Sequence, residues 1–599
     1  MPLRDTSSQL SLPEAFFAER GRFLLSWQAG PVLGSIEGGS TLCVRAPDAQ
    51  ESTVGAQPSV RIELDGDGVL FAEAREAFAS VHLDDTAVVV VETDLSGRSE
   101  QWQAVLPLAE HPPWTLQDVI EGKDEAGEHC LVLTVADADG AVAFHQIGDG
   151  KQVRAHRSDV QGQLVYWDLR HDAAVIKEDQ GPWDPTLHLE RPGSGMGGMV
   201  AAPVTARWAD GWDRQGAVIM MDADSEDQLA IWDLSTSTLT RVAGVTGHID
   251  DARILRDGSG RLLIVSTVEG SDILCLRSAD GSKNTPLPPD STGRTRIRTA
   301  GPRGIGMYGF STLGGSTWTW LDHSGTLHRA RGDLPHHRGQ ATSAHIRYGR
   351  TPALCYLPEQ PPVAAVISLH GGPESVERDE LRWDGLYRDL LDAGVAVIGL
   401  NYAGSTGYGT EHTRRAWKNW RPAFQEDLEA GVTAARKQGV PPESIALLGG
   451  SFGGALALLG CVLRPDLAGA VASAPLVDIR LHAEYARATD PSYGSWFDTR
   501  FELSDAATQA QRIFSPEYLS TTAPGQRVVL IHGDEDEVTD WRHSKRAVDE
   551  AHRRGLPWTL ITESGTGHVP ADMTGTLARF LNVRSALREV LAVPGTGKS

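Results

Sequence analysis

The sequence predicts two domains of different class: an N-terminal all-β propeller of about seven blades, and a C-terminal α/β domain on a mostly parallel sheet. Three observations predict this. A chain of 599 residues is too long for a single hydrophobic core. Residues 30–335 carry short β-rich runs separated by Asp, Gly and Ser turns, with a weak internal period. Beyond residue 336, apolar strand-like runs alternate with helical stretches, the pattern of a parallel sheet covered on both faces.

In chain order, residues 1–29 form an N-terminal segment. Within it Ser11-Leu12-Pro13-Glu14 reads as a capping box that opens a short helix through Phe16 and Phe17. The propeller stretch follows, with strand-like runs at 87–92, 131–135, 164–169, 217–221, 229–234, 262–267, 273–277 and 318–321. Asp139-Gly140, Asp257-Gly258 and Asp280-Gly281 supply turns of the kind hairpins require. Tyr166-Trp167-Asp168-Leu169 is echoed by Ile231-Trp232-Asp233-Leu234, Leu274-Cys275-Leu276-Arg277 and Trp318-Thr319-Trp320-Leu321. The last three recur at roughly 40 to 45 residues, the length of a four-stranded blade. A pair of β-sandwiches is the alternative. The Trp-Asp pairs read as blade packing.

Pro335-His336-His337-Arg338-Gly339-Gln340 is polar and unpatterned, as a linker would be. The α/β domain occupies residues 336–592, with strand runs at 364–369, 395–400, 444–448, 470–474 and 527–531 and helical runs at 384–393 and 424–438. Residues 593–599 read as a flexible tail.

Composition excludes several classes of function. A net charge of −24 disfavours nucleic acid and anionic membranes, which need a basic surface. No apolar run is long enough to span a bilayer, and the N-terminus lacks a secretory pattern. Cys43, Cys130, Cys275, Cys355 and Cys461 are scattered singly, which fits reduced thiols in the cytoplasm. No cofactor or metal is expected. Self-association into a homo-oligomer is left open.

The chemistry centres on Ile445-Ala446-Leu447-Leu448-Gly449-Gly450-Ser451-Phe452-Gly453-Gly454, an apolar strand, a G-x-S-x-G turn and a small-residue helix. Such a turn is too tight for side chains at its flanks and lifts Ser451 above the sheet edge as a nucleophile. A serine hydroxyl needs a base, and the base needs an orienting carboxylate, in chain order Ser, acid, His for an α/β-hydrolase. After the run 527–531 comes an acidic loop with four candidates: Asp534, Glu535, Asp536 and Glu537. After the run 558–562, His568 hangs on a glycine-rich loop and is the candidate base; His532, at a strand end, reads as bonding locally. An oxyanion hole needs two fixed N–H donors. Phe452 supplies one, and Gly372, with Gly371 in reserve, the other.

These residues carry a resemblance. Roughly the last 255 residues resemble the prolyl oligopeptidase family of serine peptidases, most closely its acylaminoacyl-peptidase-like branch. His370-Gly371-Gly372-Pro373 matches the oxyanion motif, Asn401-Tyr402-Ala403-Gly404-Ser405-Thr406-Gly407-Tyr408-Gly409 a family loop, and Gly449-Gly450-Ser451-Phe452-Gly453-Gly454 the elbow. The resemblance places the acid on Asp536 and the base on His568, and implies an N-terminal propeller. Ala403 departs from the arginine common there, and no arginine follows Asp536 as in some acylaminoacyl peptidases. Between Ser473 and Pro516 an aromatic-rich insertion suggests an apolar pocket, with Tyr485, Trp496, Phe497 and Phe501 as walls and Tyr402 beside them.

The resulting expectation is a serine hydrolase that cleaves amide bonds in short peptides or peptide-like small molecules through an acyl-enzyme. An esterase, or an acyltransferase or cyclase serving biosynthesis, is the alternative. A non-catalytic propeller scaffold is the third reading, and the intact serine, acid and base argue against it.

Overall fold

A computed structural model of the chain describes residues 22–591 apart from several short connecting segments. The expected helix at Phe16 and Phe17 and the tail at 593–599 lie outside the described residues.

Before the linker, 27 strands among the described residues fall into seven successive antiparallel groups, from Arg22–Ser26 in the first to Leu327–Arg331 in the last, with the third to fifth groups joined edge to edge in one eleven-stranded sheet. Among the described residues the fourth group has three strands, Gln163–Asp168, Ala173–Glu178 and Thr186–Glu190, and the others have four. First strands of successive groups lie side by side, as Gly68–Ala72 does with Thr115–Lys123 and His248–Ile254 with Arg294–Gly301. Arg22–Ser26 in turn lies against Arg294–Gly301, so the first group meets the last. This is the N-terminal propeller. It begins at Arg22, inside the stretch assigned above to the N-terminal segment.

The Trp-Asp echo has a local cause. In groups five to seven it falls on the third strand, Gln228–Asp233, Ser271–Arg277 and Gly315–Asp322, but in group four it falls on the first. Trp167 and Trp232 are buried between neighbouring groups, and Trp318 is buried among Tyr308, Phe310 and Leu381. Each aspartate ends its strand by accepting backbone N–H groups of the turn that follows: Asp168 from Arg170, Asp233 from Ser235 and Thr236, Asp322 from Ser324 and Thr326.

The C-terminal half is built on eight strands: β1 (Thr342–Tyr348), β2 (Thr351–Leu357), β3 (Ala364–Leu369), β4 (Val395–Leu400), β5 (Ile445–Gly450), β6 (Gly469–Ser473), β7 (Arg527–Gly533) and β8 (Trp558–Glu563). Their order is β1-β2-β4-β3-β5-β6-β7-β8, parallel from β4 onward. The β1–β2 hairpin is antiparallel and was not foreseen; it begins two residues after the stretch read as linker. The inner strands β3, β4 and β5 are almost entirely buried, which explains their continuous apolar sequence.

Helices cover both faces. On one lie α1 (Leu386–Asp392) and the C-terminal α7 (Met573–Val590), whose Leu390, Leu391, Val583 and Leu587 share a core with Val366 and Val397. On the other lie α2 (Trp420–Lys437), α3 (Phe452–Leu463) and α6 (Trp541–Arg553), packed on Ile367, Ile398 and Leu447. Two helices that pack on each other, α4 (Ile479–Thr489) and α5 (Pro491–Arg500), fill the insertion after β6. Cys130, Cys355 and Cys461 are buried and Cys275 half-buried; burial pushes the thiols of Cys355 and Cys461 up to about 11 and about 12.

Group six of the propeller docks on the hydrolase half. Its hairpin turn brings Gly270 so close that a Cβ there would lie 3.2 Å from the Tyr408 hydroxyl and 3.3 Å from Glu377 O. Ser271 Oγ meets His345 Nε2 at 2.7 Å, and Arg347 donates to Glu269 at 2.9 Å. Arg378 Nη2 donates to both oxygens of Asp250, at 2.7 and 2.9 Å, in a contact buried on both sides.

Candidate active site

Ser451 sits between β5 and α3 with φ 53° and ψ −123°, a conformation costing on the order of 1–3 kcal/mol and maintained only where surroundings enforce it. Here they do. A Cβ at Gly453 would lie 2.2 Å from Leu369 O, one at Gly449 2.2 Å from Gly453 O, and one at Gly454 2.9 Å from Pro475. Ser451 N–H donates to Ser473 O at 2.9 Å, tying the turn to β6.

The loops that carry Asp536 and His568, the candidate acid and base, hang from the ends of β7 and β8. His568 Nδ1–H donates to Asp536 Oδ2 at 2.8 Å, which fixes the tautomer and leaves the Nε2 lone pair free to accept a proton. Asp536 is only 8 % exposed. Burial alone would raise its pKa, but hydrogen bonds from His532, His568 and the Thr539 N–H outweigh it and hold the carboxyl well below the usual range. Thr539 Oγ1 also donates to Asp536 Oδ2 at 2.9 Å, and the Val538 N–H to Oδ1 at 2.9 Å.

The other three carboxylates differ. Asp534 accepts from Gly565 N–H at 2.7 Å and Ser564 Oγ at 3.1 Å, so it ties the acid loop to the histidine loop. Glu535 and Glu537 are exposed. His532, read from sequence as bonding locally, is fully buried and joins the acid: its Nε2–H is shared between Thr539 O at 2.8 Å and Asp536 Oδ2 at 3.0 Å. Ser544 Oγ lies 2.8 Å from its Nδ1. Thr539 and Arg579 also escaped the sequence reading. Arg579 belongs to a helix whose only visible pattern is apolar, and nothing marks its reach to the loop that carries His568.

On the oxyanion side, a Cβ at Gly371 would lie 3.4 Å from Ser451 Cβ, so that peptide runs directly alongside the elbow. Gly372, at φ 121°, needs glycine's freedom. Phe452 is the first residue of α3, so its N–H has no acceptor within the helix. Its ring is locked among Trp420, Phe514 and Phe501 at centroid distances of 4.7, 5.3 and 5.7 Å.

The expected pocket walls fare unevenly. Tyr402 is fully buried: it stacks on His370 at 4.3 Å and donates to His370 O at 2.8 Å, bracing the oxyanion strand end from behind. His370, half-buried at the strand end, has its pKa lowered to about 4 by desolvation. Phe497 is 2 % exposed and belongs to the core, packed on Phe501 and Trp496. Phe501 is nearly as buried and gives only an edge to a cleft of about 860 Å³. That cleft is also lined by Trp420, Phe514, Asp478, Arg480 and Arg546, and not by Ser451 or His568. Trp496 is half-buried, its indole N–H 3.3 Å from Glu374 Oε2, and Tyr485 is 64 % exposed. Rings at 402 and 497 therefore stabilise the site from within and do not wall an open pocket. Ala403 is 1 % exposed with its N–H on Asp427 Oδ2 at 2.7 Å, and Arg415 pairs with the same carboxylate. The departure from arginine there lies in the core and opens no acceptor site.

Among the described residues no cluster of His, Cys, Asp or Glu has a metal-binding arrangement, and no helix is long and apolar enough to cross a membrane.

Residues 386–582 match the profile of the prolyl oligopeptidase family. The match lies within the C-terminal half and takes in the elbow, the acid loop and the histidine loop. Dipeptidyl aminopeptidase BIII of Pseudoxanthomonas mexicana is 30% identical over 215 residues, 35% of this chain and 30% of that one. The acylamino-acid-releasing enzyme of Rattus norvegicus is 24% identical over 243 residues, 38% of this chain and 32% of that one. The chain thus spans about a third of the length of these curated relatives. Full-length likeness is to solved structures. The uncomplexed Pyrococcus horikoshii acylaminoacyl peptidase superposes with a TM-score of 0.68 at 14% identity over 98% of each chain. A puromycin-hydrolysing peptidase of Mycobacterium tuberculosis gives 0.65 at 18% identity, over 98% of this chain and 97% of that one. At such identities the likeness is one of fold, and it extends over both halves of the chain.

Proposed function

We propose that the chain is a serine peptidase that cleaves amide bonds in short peptides or peptide-like small molecules. Ser451 is the nucleophile, His568 the base, Asp536 its orienting acid, and the N–H groups of Phe452 and Gly372, with Gly371 beside them, the oxyanion donors. The observation that carries this reading is the 2.8 Å bond from His568 Nδ1 to Asp536, on loops after β8 and β7, beside an elbow serine after β5. In the first half-reaction Ser451 Oγ attacks the scissile carbonyl as its proton passes to His568 Nε2. The charge that forms on the carbonyl oxygen falls to the backbone donors, worth about 10²–10³ in rate for one donor of this kind. His568 then protonates the leaving amine, and water, deprotonated by the same nitrogen, releases the acyl group.

The division falls near residues 335–336, with the propeller taken from Arg22. As a ring seated against the site, the propeller restricts entry to short chains. Scattered and mostly buried thiols support a reducing compartment such as the cytoplasm.

The test is covalent. A fluorophosphonate should label the wild-type chain on Ser451 and leave Ser451→Ala unlabelled, and the wild-type chain should release amine from aminoacyl and acyl-aminoacyl chromogenic amides. Labelling at another residue, or ester cleavage without amide cleavage, overturns the reading.

A further inference from the structure

The histidine loop, residues 564–568, is held by a group outside every motif named so far. Arg579 lies one turn into α7 and is only 6 % exposed. Its guanidinium makes three directed contacts. Nε–H donates to Glu563 Oε2 at 2.7 Å, Nη1–H to the carbonyl oxygen of His568 itself at 2.7 Å, and Nη2–H to Gly567 O at 3.4 Å. Glu563, the last residue of β8, is as buried as its partner and takes a further hydrogen bond from Asn582 Nδ2 at 3.0 Å.

We propose that Arg579 is the positioning residue for His568: a buried clamp that fixes the backbone of the base from behind while Asp536 fixes its ring from the front. Two fixed points define the imidazole. Nδ1 is bound to Asp536, which sets the direction of the ring, and the carbonyl is bound to Arg579, which sets where the ring starts. With one point alone the ring turns about the other. The chemistry of the clamp suits arginine and no other side chain. A planar fork with five N–H donors spans a carboxylate and two carbonyls at once, whereas an ammonium group is a point charge without that geometry. Glu563 matters because a guanidinium among carbonyls alone would be a buried unpaired charge. The glycine on each side of Thr566 explains the need. Gly565 has φ 66°, and neither it nor Gly567 brings a side chain to pack the loop, so the loop has little stiffness of its own. Its order comes from Asp534 at one end and Arg579 at the other.

The inference rests on His568 being the base, and the experiment separates the two. Four proteins are compared with the wild type for kcat, KM and Tm on one chromogenic amide: Arg579→Lys, Arg579→Met, Glu563→Gln, and the double variant Glu563→Gln with Arg579→Met. Arg579→Met alone leaves Glu563 buried without its partner, so Tm falls and kcat falls together. In the double variant no charge is left buried, so Tm recovers. The carbonyl of His568 is still unheld, and kcat stays about 10- to 100-fold down with KM within about twofold, as a base misplaced by around 1 Å predicts. Arg579→Lys lands between. Methylguanidinium added to Arg579→Met restores part of the lost kcat. If kcat recovers in step with Tm in the double variant, Arg579 is merely structural and the proposal is overturned. If His568→Ala is as active as the wild type, the assignment of the base fails instead.

Discussion

The two loops that flank Ser451 are secured by different parts of the molecule. On the base side every anchor belongs to the hydrolase half: Asp534 on Gly565, Asp536 on His568, Arg579 on the His568 carbonyl. On the oxyanion side the segment after Gly372 is pinned in turn at Glu374 by Arg500, at Glu377 by Asn401 and Tyr387, and at Arg378 by Asp250 of the propeller. Its next residues also reach propeller strands, Asp379 accepting from Thr312 N–H at 3.1 Å and Glu380 pairing with Arg294 at 3.2 Å. The two halves of the site therefore respond to different insults. A change inside the hydrolase half strikes the base; a shift of the propeller strikes the strap that follows the oxyanion donors.

The largest effect that sharpens this contrast is on the base side. Asp536→Asn should lower kcat on the order of a hundredfold or more, because the ring loses its orienting acceptor. Asp534→Asn should lower it by less, since it removes a tie between loops and leaves the ring bonded. Steady-state kinetics on both variants decide this, and a larger loss for Asp534→Asn would reverse the roles assigned to the two carboxylates.

A smaller effect belongs to the oxyanion side. In Asp250→Asn the nearest carboxylate left to the buried Arg378 among the described residues is Asp272, whose oxygen lies 3.9 Å away. Removing one partner of a buried pair costs up to about 3–5 kcal/mol. Asn fills the same space, so the stability loss should fall at or below that range and kcat should fall less than tenfold. Thermal melts beside kinetics check it. Loss of kcat as deep as that of Asp536→Asn would show the propeller to be as intimate with the chemistry as the acid.

The smallest change concerns access. If the propeller guards the site, a peptide series with one N-terminal sequence should be cleaved up to about 30 residues and a folded carrier of the same sequence left intact. Asp250→Asn, with its loosened contact, should admit longer members. Equal rates across the series and the carrier would leave the propeller without a gating role.

How much of this was legible beforehand follows the physics of each part. β5 and β7 announce themselves because strands buried on both faces are continuous apolar runs, and the elbow because its backbone admits little besides glycine. β1 is silent: most of Thr342–Tyr348 is exposed and polar, so its place at the sheet edge leaves no apolar signature. Arg22–Ser26 is too short to be distinguished from its surroundings. Tyr402 and Phe497 were misread because an aromatic ring in a loop or insertion looks the same in sequence whether it lines a pocket or props one up. Arg579 and Thr539 act through hydrogen bonds from a helix and a loop whose sequences show no repeat or motif at those positions, a relation that no periodicity encodes.

The buried thiols among the described residues bear on optical work. Among the described side chains, three of the cysteines are enclosed in the core, and desolvation holds two of these protonated far above neutral pH. A fresh thiol on the surface would outcompete them for a maleimide dye. Glu269 and Arg347 face each other across the seam between the halves, with 65% and 46% of their side chains exposed. A dye on Glu269→Cys would brighten or dim as that seam parts, turning the breathing of the two halves into a signal that can be followed in a cuvette during turnover.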